Sequence, residues 1–413
     1  MTLDTASVDL AETIPATVPV ITSGAEAVRT AHGFAAAIAD RAAERDRAGT
    51  VPRQELAAFD ASGLLAITVP RRYQGADVPA TVLAEVIRTI AAVDPAIARI
   101  PQTHFLMVDV LSVLGTPEQR RRLFAEVLAG RRLGNGMAER GGQHAQDLKT
   151  RLTHGPSGLR LNGRKYYCTG AITSRWLGIT ALDDDDRLVM VFVEREAAGV
   201  QLDEDWNVMG QRATVSGGAA FSDVAVDPGL VVPYQGAFEG PQQFGARAQL
   251  IHAAIEVGIA GGALRDAGNF VRAKARPFFE AARAGWGDTA SQDPHTIHRF
   301  GQLAVKVQAA EALLASAAAV MDEVTRTPRN AAAAARGSLA IAQAKAFGSE
   351  VAAEVASDMF SLSGASATDE KYDLSRHWRN ARTHASHDPV SWKYHHIGNY
   401  LLNDTLPPNH GQI

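Results

Sequence analysis

Two changes in hydrophobic period divide this chain. From about Ala25 to Leu128 apolar residues recur at helical spacing, with breaks at Gly49–Pro52, Val69–Pro79 and Gly115–Glu118. Past Gly134 the text becomes short β-branched and aromatic runs, "LRLNGRKYYCTG" and "RLVMVFVERE", bounded by Asn-Gly and Asp clusters, which predicts strands and turns. From Gln243 it lengthens again into alanine-rich stretches such as "LIHAAIEVGIAGGALRDAGNFVRAKA" and "FGQLAVKVQAAEALLASAAAVMDEV", each long enough for a helix that crosses a domain. The expected order is a flexible N-terminal extension (1–24), a helical domain (25–133), a β domain (134–232) and a helical bundle (233–413). The fold class is α+β and multidomain. A length of 413 residues agrees with two or three domains at roughly 150 residues each.

Apolar residues make up 46% and charged residues 21%, the composition of a soluble globular protein. Net charge is -4 and no basic block interleaves with aromatics, so neither nucleic acid nor an anionic membrane is an expected partner. Asp4, Asp9 and Glu12 precede the first basic residue, the reverse of a signal peptide, and the expected location is cytoplasmic. The most apolar run, Ala312–Met321, lies between Glu311 and Asp322 and is too short to span a bilayer. A single cysteine, Cys168, excludes an intrachain disulfide framework and a zinc site of several thiolates. With no adjacent basic residue to lower its pKa, it reads as a small buried hydrophobe.

The stretch richest in chemistry is "RTHASHDPVSWK", Arg382–Lys393. His384 and His387 at i, i+3 can share a helix face and Asp388 can add oxygen, but no further flanking ligand completes a four-ligand metal set. Two readings stay open: a polar turn in which Asp388-Pro389 ends a helix, or an acid/base device built on an imidazole that titrates near neutrality. Elsewhere, Asn162-Gly163 is a good hairpin pair, Trp206 before a glycine turn suits core packing, and Arg276 before Pro277 suits a solvated helix end.

Five segments together resemble the acyl-CoA dehydrogenase family over nearly the whole chain from about residue 25. They are "ASGLLAITVPRRYQGAD", "GMAERGG" followed by Asp147, "LNGRKYYCTGA", "WNVMGQRATVSGGAAFSDVAV" and "RHWRNARTHASHDP". A long insert after Arg276-Pro277 and the ending "HDPVSWK" are similar to one branch, the flavin-dependent monooxygenases that include dibenzothiophene monooxygenase and the sulfur-acquisition oxidoreductases. The resemblance implies N-terminal helices, a central β-barrel domain and a C-terminal four-helix bundle. Small residues such as Gly258, Gly261, Gly262 and Ala332–Ala335 would then supply contacts of a homotetramer.

It also implies a flavin site. Asn135, Ala138 and Glu139 would belong to a loop along the cofactor, and Lys165 to Thr169, with Tyr167 among them, to a strand against its ring. Thr169 would contact N5 or O4, Trp206, Thr214 and Ser216 would lie at the cavity, and Arg276 would bind the phosphate. Where many dehydrogenases have Gly-Gly-x-Gly for the adenosine half of FAD, this chain has Gly364-Ala365-Ser366-Ala367. Side chains on Ala365 and Ser366 occupy that approach, which favours FMN over FAD.

In dehydrogenases of the family a Tyr-Glu-Gly triplet supplies the catalytic base; here it aligns with His387-Asp388-Pro389. The resemblance implies His387 as a proton donor to the oxygen adduct of reduced flavin, Asp388 as its anchor, and His104 as a cavity-lining histidine, although a satisfied core histidine explains His104 equally well. The implied activity uses O2 and reduced FMN from a separate NAD(P)H flavin reductase, since no Gly-x-Gly-x-x-Gly unit is present, to oxygenate a small organosulfur compound. The alternatives are an acyl-CoA dehydrogenase with FAD, using Asp388 as base, and a non-catalytic flavin-binding or scaffold protein.

Overall fold

The computed structural model describes residues 17–144 and 147–413. Seven helices come first: α1 (Gly24–Ile38), α2 (Ala42–Ala48), α3 (Arg53–Asp60), α4 (Ala80–Ala91), α5 (Pro95–Arg99), α6 (Gln102–Leu114) and α7 (Pro117–Leu128). Their starts follow capping chemistry. Ser23 accepts the Glu26 amide at α1, Asp94 accepts the Ala96 and Ile97 amides at α5, and Thr116 with Gln119 forms a reciprocal capping box at α7.

Eight strands follow: β1 (Leu133–Gly136), β2 (Arg151–Gly155), β3 (Gly158–Lys165), β4 (Trp176–Leu182), β5 (Leu188–Glu194), β6 (Val200–Leu202), β7 (Ala219–Val226) and β8 (Val231–Val232). They form one sheet in the order β6-β7-β3-β2-β4-β5-β8, with β1 parallel to β4. The path of pairing has β6 and β8 at its two ends. Asn162-Gly163 is not the hairpin turn that its sequence suggests. It lies inside β3, where the register against β7 shifts, and a Cβ on Gly163 would run into Thr150.

Six helices complete the chain: α8 (Phe244–Ala273), α9 (Phe279–Arg283), α10 (Pro294–Arg326), α11 (Ala331–Ser363), α12 (Ser375–Ala385) and α13 (Val390–Asn403). One apolar core runs through both helical parts and takes in Leu133, Trp176, Met190 and Phe192 from the sheet; a second closes the sheet's other face around Leu161, Ile179 and Phe221. Each fully buried large aliphatic or aromatic side chain contributes about 1.5–3 kcal/mol, so these shared residues hold sheet and helices together.

Three expectations change. Residues 1–16 of the proposed flexible extension lie outside the described residues, but Ile21 is buried and the Pro19 carbonyl sits where a Cβ on Gly63 would be. Gly63, at φ +84, is what lets this segment lie flat against the body. Gly258 and Gly262 do not face outward: a Cβ on Gly258 would come 2.6 Å from Ala91 Cβ, and one on Gly262 would meet the Ala92 carbonyl. Those glycines let α8 approach α4 within one chain. Finally, Pro95–Leu114 and Pro294–Arg326 are long and apolar enough to cross a membrane; the first is mostly buried in the protein, while α10 leaves Ile297 and Val305 exposed.

Candidate functional site

Pro389 cannot continue α12, and the chain turns there into α13, leaving His387 and Asp388 at the corner. His387 Nδ1 is 2.8 Å from Asp388 Oδ1, and Lys345 Nζ of α11 donates to the same oxygen at 3.1 Å. Lys393 Nζ of α13 lies 2.8 Å from Oδ2 and also donates to the Gln412 carbonyl. Asp388, Lys345 and Lys393 are all buried. Burial alone would push the Asp388 carboxyl up; the His387 bond and the two ammonium groups outweigh it and hold the pKa far below the usual carboxylate range. Asp388 is thus a permanent anion.

An ionised carboxylate can only accept, so His387 donates from Nδ1, and its Nε2 lone pair is left without a partner among the described residues. Its side chain is 38% exposed, yet surrounding protein, with Arg99 and Lys345 nearby, lowers its pKa to about 4 against the pull of Asp388. The resting imidazole is neutral. His252 of α8 stacks on it with ring centroids 4.2 Å apart, and His252 Nδ1 is hydrogen-bonded to His384 Nε2 at 3.1 Å. Both of these rings are buried and held neutral, chiefly by desolvation.

Glu256, one turn beyond His252, is fully buried. Its Oε1 accepts from Ser349 Oγ at 3.3 Å, and its Oε2 has no partner among the described residues. Desolvation raises its pKa to about 8 despite Lys345, so it is a neutral acid at pH 7.

A second group of polar side chains lies in the β domain, in a turn that is bonded to α12. Thr214 Oγ1 donates to the Gln211 carbonyl at 2.8 Å, so at 2.9 Å it accepts from Ser216, and Ser216 in turn accepts from Thr169 at 2.7 Å. The direction of this chain leaves Thr169 Oγ1 with only lone pairs to offer. Tyr167, 46% exposed and at φ 59, packs edge-on against Trp206 at 6.1 Å. Val215 between the two hydroxyls adopts φ 43, a conformation that costs a β-branched residue about 1–3 kcal/mol. Asn135 holds the strand before Thr169 by donating to the Tyr167 carbonyl at 2.9 Å, and the Ala138 carbonyl accepts from the Tyr166 amide at 3.0 Å. Asn380 of α12 accepts the Gln211 amide and Arg379 donates to the Met209 carbonyl at 3.0 Å, which joins this turn to the helix that leads to His387.

This face fits a flavin. An acceptor hydroxyl stands beside an aromatic pair, and the side-chain amide of Gln211 in the same turn is buried with neither Oε1 nor Nε2 bonded among the described residues.

Other candidates fall elsewhere. His104 is fully buried, with Nε2 2.9 Å from the Leu65 carbonyl and Nδ1 accepting the Leu133 amide at 3.2 Å. Both ring nitrogens are engaged, so it fixes β1 to the first helical part and has no free atom for acid/base work. Lys165 and Glu139 are bonded to each other at 2.7 Å, with Thr150, Thr180 and the Met137 carbonyl taking their remaining capacity. That pair braces the sheet and leaves nothing for a cofactor. Cys168 is buried and its thiol is pushed up to about 12, mainly by desolvation.

Arg276, Ala365 and Ser366 are exposed at the far ends of α8 and α11. At 1.5 Å per residue, helix rise alone puts them on the order of 30 Å from His252 and Lys345 of the same chain.

Sequence reasoning missed Arg99, His252, Glu256, Lys345 and Lys393. The available signal was polarity out of place: His252 and Glu256 at i, i+4 in "QLIHAAIEVGIAGG", and a lone lysine in "LAIAQAKAFG".

Residues 25–131 match the N-terminal domain of acyl-CoA dehydrogenases and residues 250–392 the C-terminal domain. The chain is 33% identical over 402 residues to dibenzothiophene monooxygenase of Rhodococcus erythropolis, covering 92% of this chain and 94% of that one. Among solved structures it resembles FMN-bound TdsC of Paenibacillus sp. A11-2, with a TM-score of 0.88 at 28% identity over 94% of this chain and 100% of that one. It also resembles methanesulfinate monooxygenase MsuC of Pseudomonas fluorescens, with a TM-score of 0.86 at 30% identity over 94% and 99%.

Proposed function

We propose, since this chain belongs to the FMN-dependent monooxygenase group of the acyl-CoA dehydrogenase family, that it oxygenates a small organosulfur compound with O2 and reduced FMN from a separate NAD(P)H reductase. The observation that carries this reading is the state of Asp388. A dehydrogenase would need that carboxylate as a free base, but here both oxygens are held by buried ammonium groups and His387. An anion so stabilised is too weak a base to abstract a carbon-bound proton. The group at this corner that can move a proton is His387.

Reduced FMN, when bound, supplies the electrons that activate O2 for transfer of one oxygen atom. Thr169 offers a lone pair suited to the N–H of a reduced flavin. His387 takes up a proton at Nε2, Asp388 stabilises the cation, and the same atom returns the proton; the expected donor role therefore begins with acceptance. The stack of His252 on His387 keeps the ring in the one orientation that serves both bonds.

Arg276, Ala365 and Ser366 lie too far from the chain's own corner to serve it. Within a homotetramer their exposed cluster would meet the phosphate end of a flavin bound by another copy, and α10, with Ile297 and Val305 exposed, offers the face to bury. Sedimentation across micromolar concentrations tests the assembly, and a monomer would overturn it. The activity is tested by O2 uptake with chemically reduced FMN and detection of an oxygenated sulfur product. Bleaching of the bound flavin by an acyl-CoA would establish the dehydrogenase alternative instead.

A further inference from the structure

Arg99 ends α5, between the two halves of the site. Ile100 beside it lies where a Cβ on Gly170 would contact its Cγ2 at 2.8 Å, next to Thr169. On its other side the guanidinium acts electrostatically on Asp388, His387, His384 and His252. The residue is only 9% exposed. Among the described residues it makes no ion pair, and its one hydrogen bond, from Nη1 at 2.9 Å, is to the neutral amide oxygen of Gln102. That oxygen also accepts from Thr103 Oγ1 at 3.1 Å, so Gln102 is itself fixed and holds the guanidinium in place. Asp94, the nearest acid along α5, is occupied by Arg45 at 2.9 Å and by the helix amides.

The charges of the corner do not balance. Arg99, Lys345 and Lys393 are cations, Asp388 is the one anion among them, and Glu256 is neutral. A buried guanidinium that has no direct ion pair and shares its nearest anion with two ammonium groups is under-compensated, and one planar donor fork with open N–H groups matches a carboxylate-like or sulfinate-like pair of oxygens. A flat neutral thiophene bound in the same space would desolvate Arg99 and return no hydrogen bond to it.

We propose that Arg99 is the substrate anchor of this site and that its ligand is a small organosulfur oxyanion, a sulfinate, whose charged group docks on the guanidinium while its sulfur, which still carries a lone pair, takes one oxygen atom from O2 and leaves as the sulfonate, with reduced FMN supplying the two electrons that release the other oxygen as water. This specification of substrate class rests on the monooxygenase reading above. Docking there would put the sulfur between the flavin-facing Thr169 and His387. Gln102 serves as the positioning residue for the anchor.

Calorimetric titration of methanesulfinate, with dimethyl sulfoxide as a neutral analogue of similar size, into the protein with and without FMN tests the proposal. Methanesulfinate is expected to bind at least tenfold more tightly. Arg99→Gln should abolish that preference and Arg99→Lys retain part of it, while FMN affinity is unchanged. Equal affinity for the two probes in the unaltered protein overturns the proposal, and this comparison stands even if Arg99→Gln does not fold. Loss of reduced-FMN affinity in Arg99→Gln, with sulfinate affinity intact, would assign the guanidinium to the flavin and overturn it as well. Because the readout is binding, absence of oxygen transfer would sink the monooxygenase reading while leaving the anion preference measured.

Discussion

Lys345 Nζ and His387 Nδ1 converge on one oxygen of Asp388, at 3.1 and 2.8 Å, while Lys393 covers the other at 2.8 Å. This arrangement makes Asp388 a structural anion first and the orienter of His387 second. The two roles separate under mutation. His387→Phe should leave folding and flavin binding intact, reduce product formation by roughly 10²-fold, and divert O2 to hydrogen peroxide. Asp388→Asn leaves two buried ammonium groups without a counter-charge and should cost about 3–5 kcal/mol, visible as a large fall in melting temperature. An Asp388→Asn protein as stable as the parent would mean that the clamp is not holding the corner.

Glu256 gives stability a pH dependence of known sign. Its folded pKa, about 8, lies above the ordinary carboxyl value, so its contribution is fully present below that ordinary value and is lost as pH rises through 8. Glu256→Gln mimics the neutral acid at every pH. The variant should gain on the parent from pH 5 to 8, by up to about 1.4 kcal/mol per pH unit, and melting curves across that range would show it. A constant difference between the two proteins would mean that Glu256 does not titrate there.

The ordered hydroxyls predict a preference between flavin redox states. With its own proton committed to Ser216, Thr169 can accept from a reduced flavin N–H but has nothing to give an oxidised ring nitrogen. Thr169→Val should weaken reduced FMN by roughly 3- to 10-fold, the scale of one lost hydrogen bond, and barely alter oxidised FMN. Thr169→Ser should restore the difference. Anaerobic titration of the two flavin forms measures both; equal losses for both forms would show the chain running the other way.

His104 should behave as a strut. His104→Phe strands the Leu65 carbonyl and the Leu133 amide in the core, at about 1–3 kcal/mol each, so the melting temperature should fall while turnover per folded molecule stays near that of the parent. A stable protein with abolished turnover would return His104 to the chemistry.

Much of the fold was legible because it depends on local period. Helical spacing to Leu128, short β-branched and aromatic runs such as the one that becomes β5, and long apolar repeats from Gln243 each bias a segment wherever it is placed. The pairing of His387 with Asp388 was legible too, since neighbours in sequence at a proline corner remain neighbours in space. The rest was not. Asn162-Gly163 has the composition of a turn and becomes a bulge because β7 pairs across it, a long-range contact that outweighs local preference.

Lys165, Glu139 and His104 carry chemistry-bearing side chains whose bonding capacity the fold uses up internally. The family resemblance assigned them to a ligand because an aligned sequence shows which groups exist and not which are already partnered. Conversely, Lys345 reads as an ordinary helix residue until α11 is laid beside the α12–α13 corner, and Arg99 as a surface arginine until burial leaves its guanidinium with no direct ion pair among the described residues. The sequence alone determined the order of elements and the identity of the His387–Asp388 corner, because both depend on residues close in the chain. Which charges are buried, which are paired and which are left without a direct partner was decided by tertiary structure, since those depend on desolvation and on partners up to hundreds of residues away.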